Sequence, residues 1–174
     1  MSLPRRTLIA GLPLCLAACM QGQPATGSGK AEAPAPWPSL QSTLRPGPSS
    51  SPNIATLPVD LRIAPPPLGV PAALRDAVGR WEGWNGSRAS GSVALAVEEV
   101  TATGGRGTYV FANAVIPPRR SAWVFALTAA NELRGRTTPE NHIVTVRARA
   151  DGNLDILWED GGGNWSSGVI SRMG

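Results

Sequence analysis

The segment "HIVTVRARA" (142–150) alternates in character. Ile143, Thr145, Arg147 and Arg149 fall on one side; His142, Val144, Val146, Ala148 and Ala150 fall on the other. Successive side chains of a strand point to opposite faces, so this is a half-buried strand with the valine side as its core face. "SVALAVEEV" places Val93, Leu95 and Val97 inward and Ala94 and Ala96 outward, and "LDILWE" turns Leu154, Ile156 and Trp158 one way. The same reading predicts strands over 80–85, 90–101, 107–115, 121–129, 133–137, 142–150, 154–159 and 165–173. Turn residues connect them: Asn85-Gly86, Thr103-Gly104-Gly105, Pro117-Pro118, Asn131, Asp151-Gly152-Asn153 and Asp160-Gly161-Gly162-Gly163. Asp151-Gly152 between two alternating runs is the clearest hairpin signal. Before the strands, "PAALRDAV" (71–78) reads as one or two helical turns, with Pro71 at the first helical position and Gly79 at the stop. Seven or eight sequential antiparallel strands form an all-β meander. Closure into a small antiparallel barrel removes its edges.

Composition divides the chain. Prolines crowd the region from Pro24 to Pro71, and only Pro117, Pro118 and Pro139 follow. Stretches such as "GQPATGSGKAEAPAPWPS" and "RPGPSSSPN" hold too little apolar surface to offset their ordering entropy. Residues 19–71 therefore read as a disordered Pro/Ala/Ser/Gly-rich linker, a semi-extended spacer dispensable for folding. Residues 72–174 read as the β-barrel domain. Two places in the linker stay open. Trp37, between prolines, is a solvated ring, a recognition element, or a ring that dips into the membrane interface. The more apolar 54–70 is either an edge or strap on the domain, or degenerate linker.

The formal net charge is +4, but charge changes the picture little. From Pro71 onward eleven arginines face ten acidic residues, so the domain lacks the concentrated basic face of a nucleic-acid binder.

The first 18 residues read as a signal peptide. Arg5-Arg6 is the positive n-region and "LIAGLPLCLAA" the apolar h-region, too short to span a bilayer comfortably. "LAAC" (16–19) then resembles the lipobox of bacterial lipoprotein signal peptides. The resemblance implies a diacylglycerol on the Cys19 sulfur, cleavage before Cys19, and acylation of the new amino group. Several acyl chains anchor stably where one is marginal. Cys15 leaves with the signal, so the mature chain keeps no cysteine for a disulfide or thiolate. Met20, where enterobacterial lipoproteins retained at the inner membrane carry aspartate, favours the outer membrane of the cell envelope. Arg5-Arg6-Thr-Leu-Ile fits either a Sec or a twin-arginine signal.

The domain carries a second resemblance. "VGRWEGWNGSRASGSVALAVEEV", "GTYVF" and "ADGNLDILWED...VISRM" look like a small barrel domain of bacterial exported proteins. Gly79-Arg80-Trp81 is more distantly similar to the Gly-x-Trp that opens lipocalin and avidin (calycin-type) barrels. That resemblance implies a Trp81 that plugs one barrel end and packs against an arginine of the last strand, Arg172. It implies a fold more than a function.

Chemistry is sparse. His142 is the only histidine; a His/Cys metal cluster or a Ser-His-Asp triad needs suitable partners, and a lone strand histidine is much more often structural. No spacing selects a carboxylate pair among Glu82, Glu98, Glu99, Asp155, Glu159 and Asp160. No catalytic residue, metal or cofactor is expected. The tryptophans remain. Trp81, Trp123 and Trp158 are expected in the core. Trp84 and Trp165, beside glycine turns at strand ends, are the candidate ligand-binding residues. The expectation is a membrane-tethered, non-enzymatic binding or accessory barrel for a glycan, a lipid-like molecule or a protein. The alternatives are an inhibitor of a secreted enzyme and, less favoured, a hydrolase. Lipidation is directly testable. Expressed in a bacterium, the wild-type chain should partition into detergent and carry the lipid mass at Cys19, whereas Cys19→Ser should stay aqueous. Identical partitioning of the two would refute the anchor.

Overall fold

A computed structural model describes residues 53–86 and 91–174. Residues 1–52, which include the expected signal peptide, Cys19 and Trp37, lie outside the described residues, as do residues 87–90. One short helix, α1 (Ala72–Ala77), precedes eight strands: β1 (Gly79–Asn85), β2 (Gly91–Val100), β3 (Gly104–Ala112), β4 (Arg119–Leu127), β5 (Leu133–Thr138), β6 (Ile143–Ala148), β7 (Leu154–Glu159) and β8 (Trp165–Arg172). Each pairs antiparallel with the next, and β8 returns to β1, closing the barrel. Closure leaves no strand edge unpaired, which is how a sheet of short strands escapes edge-to-edge association.

Alternation sorts the side chains. Val93, Leu95, Val97, Val144, Val146, Leu154 and Ile156 are buried in one core with Tyr109, Trp123, Phe125, Leu133 and Ile170. Trp123 and Phe125, two residues apart and so on one face, stack with centroids 4.2 Å apart. On the opposite parity of β6, Arg147 and Arg149 face outward. They clamp the Asp155 carboxylate of β7 at 2.9 and 2.8 Å, which seals an outward residue that is nearly buried. The hairpin between these strands turns at Asp151-Gly152, with Gly152 at φ 81°. Ala148 and Ala150, expected on the core face, are exposed: β6 ends at Ala148 and its hairpin runs beyond the core. Thr103-Gly104-Gly105 is not all turn either. Gly104 and Gly105 already pair with Ala126 and Phe125, and the Phe125 ring fills the space a Gly105 side chain would take. Pro71 caps α1 rather than opening it.

One end of the barrel is plugged. Leu74 and Ala77 of α1 are buried there, with Val70 beside them. The Trp81 ring is 1% exposed, and its Nε1–H donates to the Ala77 carbonyl at 2.8 Å. The Arg172 guanidinium lies over that ring, 4.3 Å from its centroid. It also donates to the Val78 and Asp76 carbonyls at 2.9 and 2.8 Å. An arginine so placed satisfies carbonyls that a helix C-terminus leaves without partners. Gly79 sits at φ 138°, and any side chain there would run into the Arg172 guanidinium.

The segment before α1 is a strap, which decides between the two readings of 54–70. Ala55 and Leu57 are buried against Ala94, Ala96, Val110 and Ala112, with Leu61, Ile63 and Met173 alongside. These are the outward residues of β2 and β3. Polar contacts pin the strap along its length. Asn53 Nδ2 donates to the Asn113 carbonyl at 2.9 Å, the Ala55 N–H to Ser92 Oγ at 2.6 Å, and Arg80 to the Leu61 carbonyl at 2.8 Å. The register shifts between Val97 and Glu99, leaving Glu98 as a bulge. Its carbonyl accepts the Ala64 N–H at 2.8 Å. The packed unit thus extends N-terminal to Pro71, to Asn53. Composition leaves this open because it counts apolar residues and not the surface waiting to receive them.

Two melts test this account. A chain starting at Val70 should melt below one starting at Asn53, since burying Leu57 alone is worth about 1.5–3 kcal/mol. Trp81→Ala should cost about 3–5 kcal/mol through the cavity it leaves. Equal melting of the two truncations would show that the strap contributes nothing.

Candidate functional site

The end opposite α1 is not plugged. It holds a cavity of about 140 Å³ lined by Asn85, Tyr109, Phe111, Ile116, Arg119, Ser121, Glu140, His142, Trp158 and Ser166. These come from the C-terminal ends of β1, β3 and β7, the N-terminal ends of β4 and β8, and the connections around them. In an up-and-down barrel those ends meet at one mouth.

Depth sorts the chemistry. Asn85 and Tyr109 are 0% and 3% exposed and form the floor. Asn85 points inward because it shares parity with Trp81, and its register partner on β8 is Gly168. With no side chain at Gly168, the carboxamide has room. Neither the Asn85 carboxamide nor the Tyr109 hydroxyl has a hydrogen-bond partner among the described residues. Burial pushes the Tyr109 phenol well above its usual range, so it is neutral at any physiological pH.

Aromatic and aliphatic walls rise above this floor. Trp158 and Phe111 are partly buried and pack against the core. The His142 ring meets Trp158 edge-on, centroids 4.7 Å apart. Ile116 reaches the cavity from a loop shaped by Asn113, whose Oδ1 accepts the N–H groups of Val115 and Ile116 at 2.9 and 2.6 Å. Arg119 is exposed at the rim.

Ser121, Glu140 and His142 share this cavity without forming a relay. Ser121 Oγ donates straight to Glu140 Oε2 at 2.6 Å. A nucleophilic serine needs a base that takes its proton and is itself oriented by an acid. Here the hydroxyl is a donor to a carboxylate, and among the described residues no hydrogen bond joins His142 to either. Among those residues, no group of three or more His, Cys, Asp or Glu side chains could hold a metal ion.

The structure places the two candidate tryptophans elsewhere. Trp84 lies on the opposite parity to Trp81 and Asn85, so it stands on the outer face of β1, partly exposed. Trp165 opens β8 on the parity opposite Ser166 and is 42% exposed. Neither lines the cavity; Trp158 does. Proximity to glycine turns put Trp84 and Trp165 at the same end of the barrel as the cavity but says nothing about which face they occupy. Alternation from Trp81 was the signal that could have chosen. Asn85 escaped notice because Asn85-Gly86 reads as a turn, and Tyr109 because one strand tyrosine resembles any core aromatic.

Beside the rim, the Asp160 carboxylate organises the β7–β8 connection. It accepts the Gly162 and Asn164 N–H groups at 2.8 and 3.0 Å and Asn164 Nδ2 at 2.6 Å. These bonds, the Asn164 side chain foremost, hold its carboxyl below the usual range, with a smaller contribution from the nearby His142. A carboxylate with a lowered folded-state pKa stabilises the fold above its unfolded pKa and loses that contribution as pH falls through the folded value. Asp160→Ala should therefore melt below wild type at pH 7, and the gap should close below about pH 4. A gap independent of pH would show that the charged carboxylate is not what holds the turn. Compared with known proteins, the chain matches no family model, no curated protein and no solved structure.

Proposed function

We propose that the chain is a lipid-anchored lipoprotein of the bacterial cell envelope whose barrel binds a small ligand in its open end without catalysing a reaction. The observation that carries the binding reading is the floor of the cavity. A buried polar group left unpaired costs about 1–3 kcal/mol, and native chains retain few of them. Asn85 and Tyr109 place two at the bottom of a concave, aromatic-walled site, the form that small-molecule sites take.

Support for the rest is of other kinds. The anchor rests on "LAAC" (16–19) after an apolar run, the outer-membrane address on Met20. The calycin-like reading of the barrel rests on its eight-strand closure and on Arg172 over Trp81 beside Gly79. The non-enzymatic reading rests on Ser121 bonding directly to Glu140 with no imidazole between them.

Trp158 offers a reporter. Titrating the full chain with glycans, fatty acids and single-ring organic compounds should produce a saturable fluorescence change for at least one class. The change should vanish in Trp158→Phe and persist in Trp84→Phe and Trp165→Phe. A response that follows Trp84 or Trp165 would move the site to the outer face. No response across the panel would remove the binding reading.

A further inference from the structure

The cavity restricts its occupant in size, shape and charge. At about 140 Å³ it is close to the roughly 150 Å³ that accommodates a benzene ring in an apolar protein interior. Two saccharide rings joined by a glycosidic bond exceed that volume, whereas one six-membered ring fills it. The walls fit a flat molecule, since Phe111 and Trp158 both border the space and aromatic faces favour another ring.

The floor asks for polar contacts. Asn85 offers two N–H donors and a carbonyl acceptor, and the Tyr109 hydroxyl gives and takes one hydrogen bond. Both are buried, and both are unpartnered among the described residues. A ligand that only accepts, or only donates, would leave half of that capacity unused. A charged head would meet no counter-ion there. Arg119, Glu140 and His142 line the same cavity, but Arg119 is exposed, Glu140 is engaged by Ser121, and the His142 ring packs against Trp158 in the wall above the floor. An unpaired charge on the floor would carry its full desolvation cost.

We infer that the cavity takes one neutral, ring-sized molecule bearing a hydrogen-bond donor and an acceptor on one edge, that edge turned inward to Asn85 and Tyr109 and its ring against Phe111 and Trp158. This rests on the reading that the open end binds a ligand, and it adds the ligand's class and orientation.

Four small probes separate the terms. 2-Pyridone presents a donor and an acceptor on one edge. N-methyl-2-pyridone lacks the donor, toluene lacks both, and benzoate adds a charge. Ligand-observed NMR with the full chain should rank 2-pyridone tightest, by about ten-fold over N-methyl-2-pyridone and toluene, the worth of one hydrogen bond near the upper end of its range. Benzoate should bind weakest. Asn85→Leu, close in shape, should bring 2-pyridone down to the level of toluene while leaving the melting temperature unchanged or raising it, because it removes a buried group without a partner. Tyr109→Phe keeps the ring and should move both quantities the same way. It serves also if Asn85→Leu fails to fold.

Equal affinity for toluene and 2-pyridone, or 2-pyridone binding untouched in both variants, overturns the inference. Failure of all four probes while a fatty acid or glycan still perturbs Trp158 overturns the ligand class and leaves the binding site standing. Failure of every compound in both panels overturns both.

Discussion

Arg172 over Trp81 is the contact on which the barrel's organisation depends. It joins the last strand to the first, where sheet closure is made, and its guanidinium reaches the carbonyls at the end of α1. The indole below it donates to Ala77. One cation and one ring thus tie strand closure, the helix end and the hydrophobic plug into a single arrangement. Gly79 permits it by carrying no side chain where the guanidinium crosses.

A barrel plugged at one end has an obligatory asymmetry. The helix supplies Leu74 and Ala77 to the plugged end, whereas the opposite end is bordered by connections. There the inward positions are occupied by Asn85, Tyr109, Ser121 and Ser166 rather than by aliphatic side chains. Polar residues at those positions weaken the core they adjoin. Such a departure from internal consistency is where function is expected. The same asymmetry explains why Trp81 and Trp158 differ in use. Both point inward, one beneath the plug and one beside the mouth.

The outer surface of β2 and β3 carries a second packing problem. Ala94, Ala96, Val110 and Ala112 face away from the barrel interior, and a solvated sheet face would normally be polar there. The strap through Ala55 and Leu57 covers them, and the bulge at Glu98 turns a backbone carbonyl toward it. Small side chains on the sheet let the strap's backbone come close enough to bond Ser92 Oγ. The barrel is therefore approached by its N-terminal segment along one fixed side.

The resemblance of Gly79-Arg80-Trp81 to calycin-type barrels implied the plug with its arginine, and the amino-acid order by itself determined the elements: seven or eight strands, their inward rows and the Asp151-Gly152 hairpin. These follow from period-two alternation and from turn residues, both of which act over a few neighbours. Tertiary structure alone decided the cavity and the strap. The floor joins Asn85 of β1 to Tyr109 of β3, and the walls join Phe111 to Trp158 of β7, residues brought together only when the sheet closes with one particular register. A single glycine opposite Asn85, or one step of parity at Trp84, changes what a residue can touch without changing the local pattern. The strap stayed undecided in the sequence for a related reason. Its few apolar side chains are insufficient for a core of their own, and they acquire meaning only against alanines some forty residues away that the barrel turns outward to meet them.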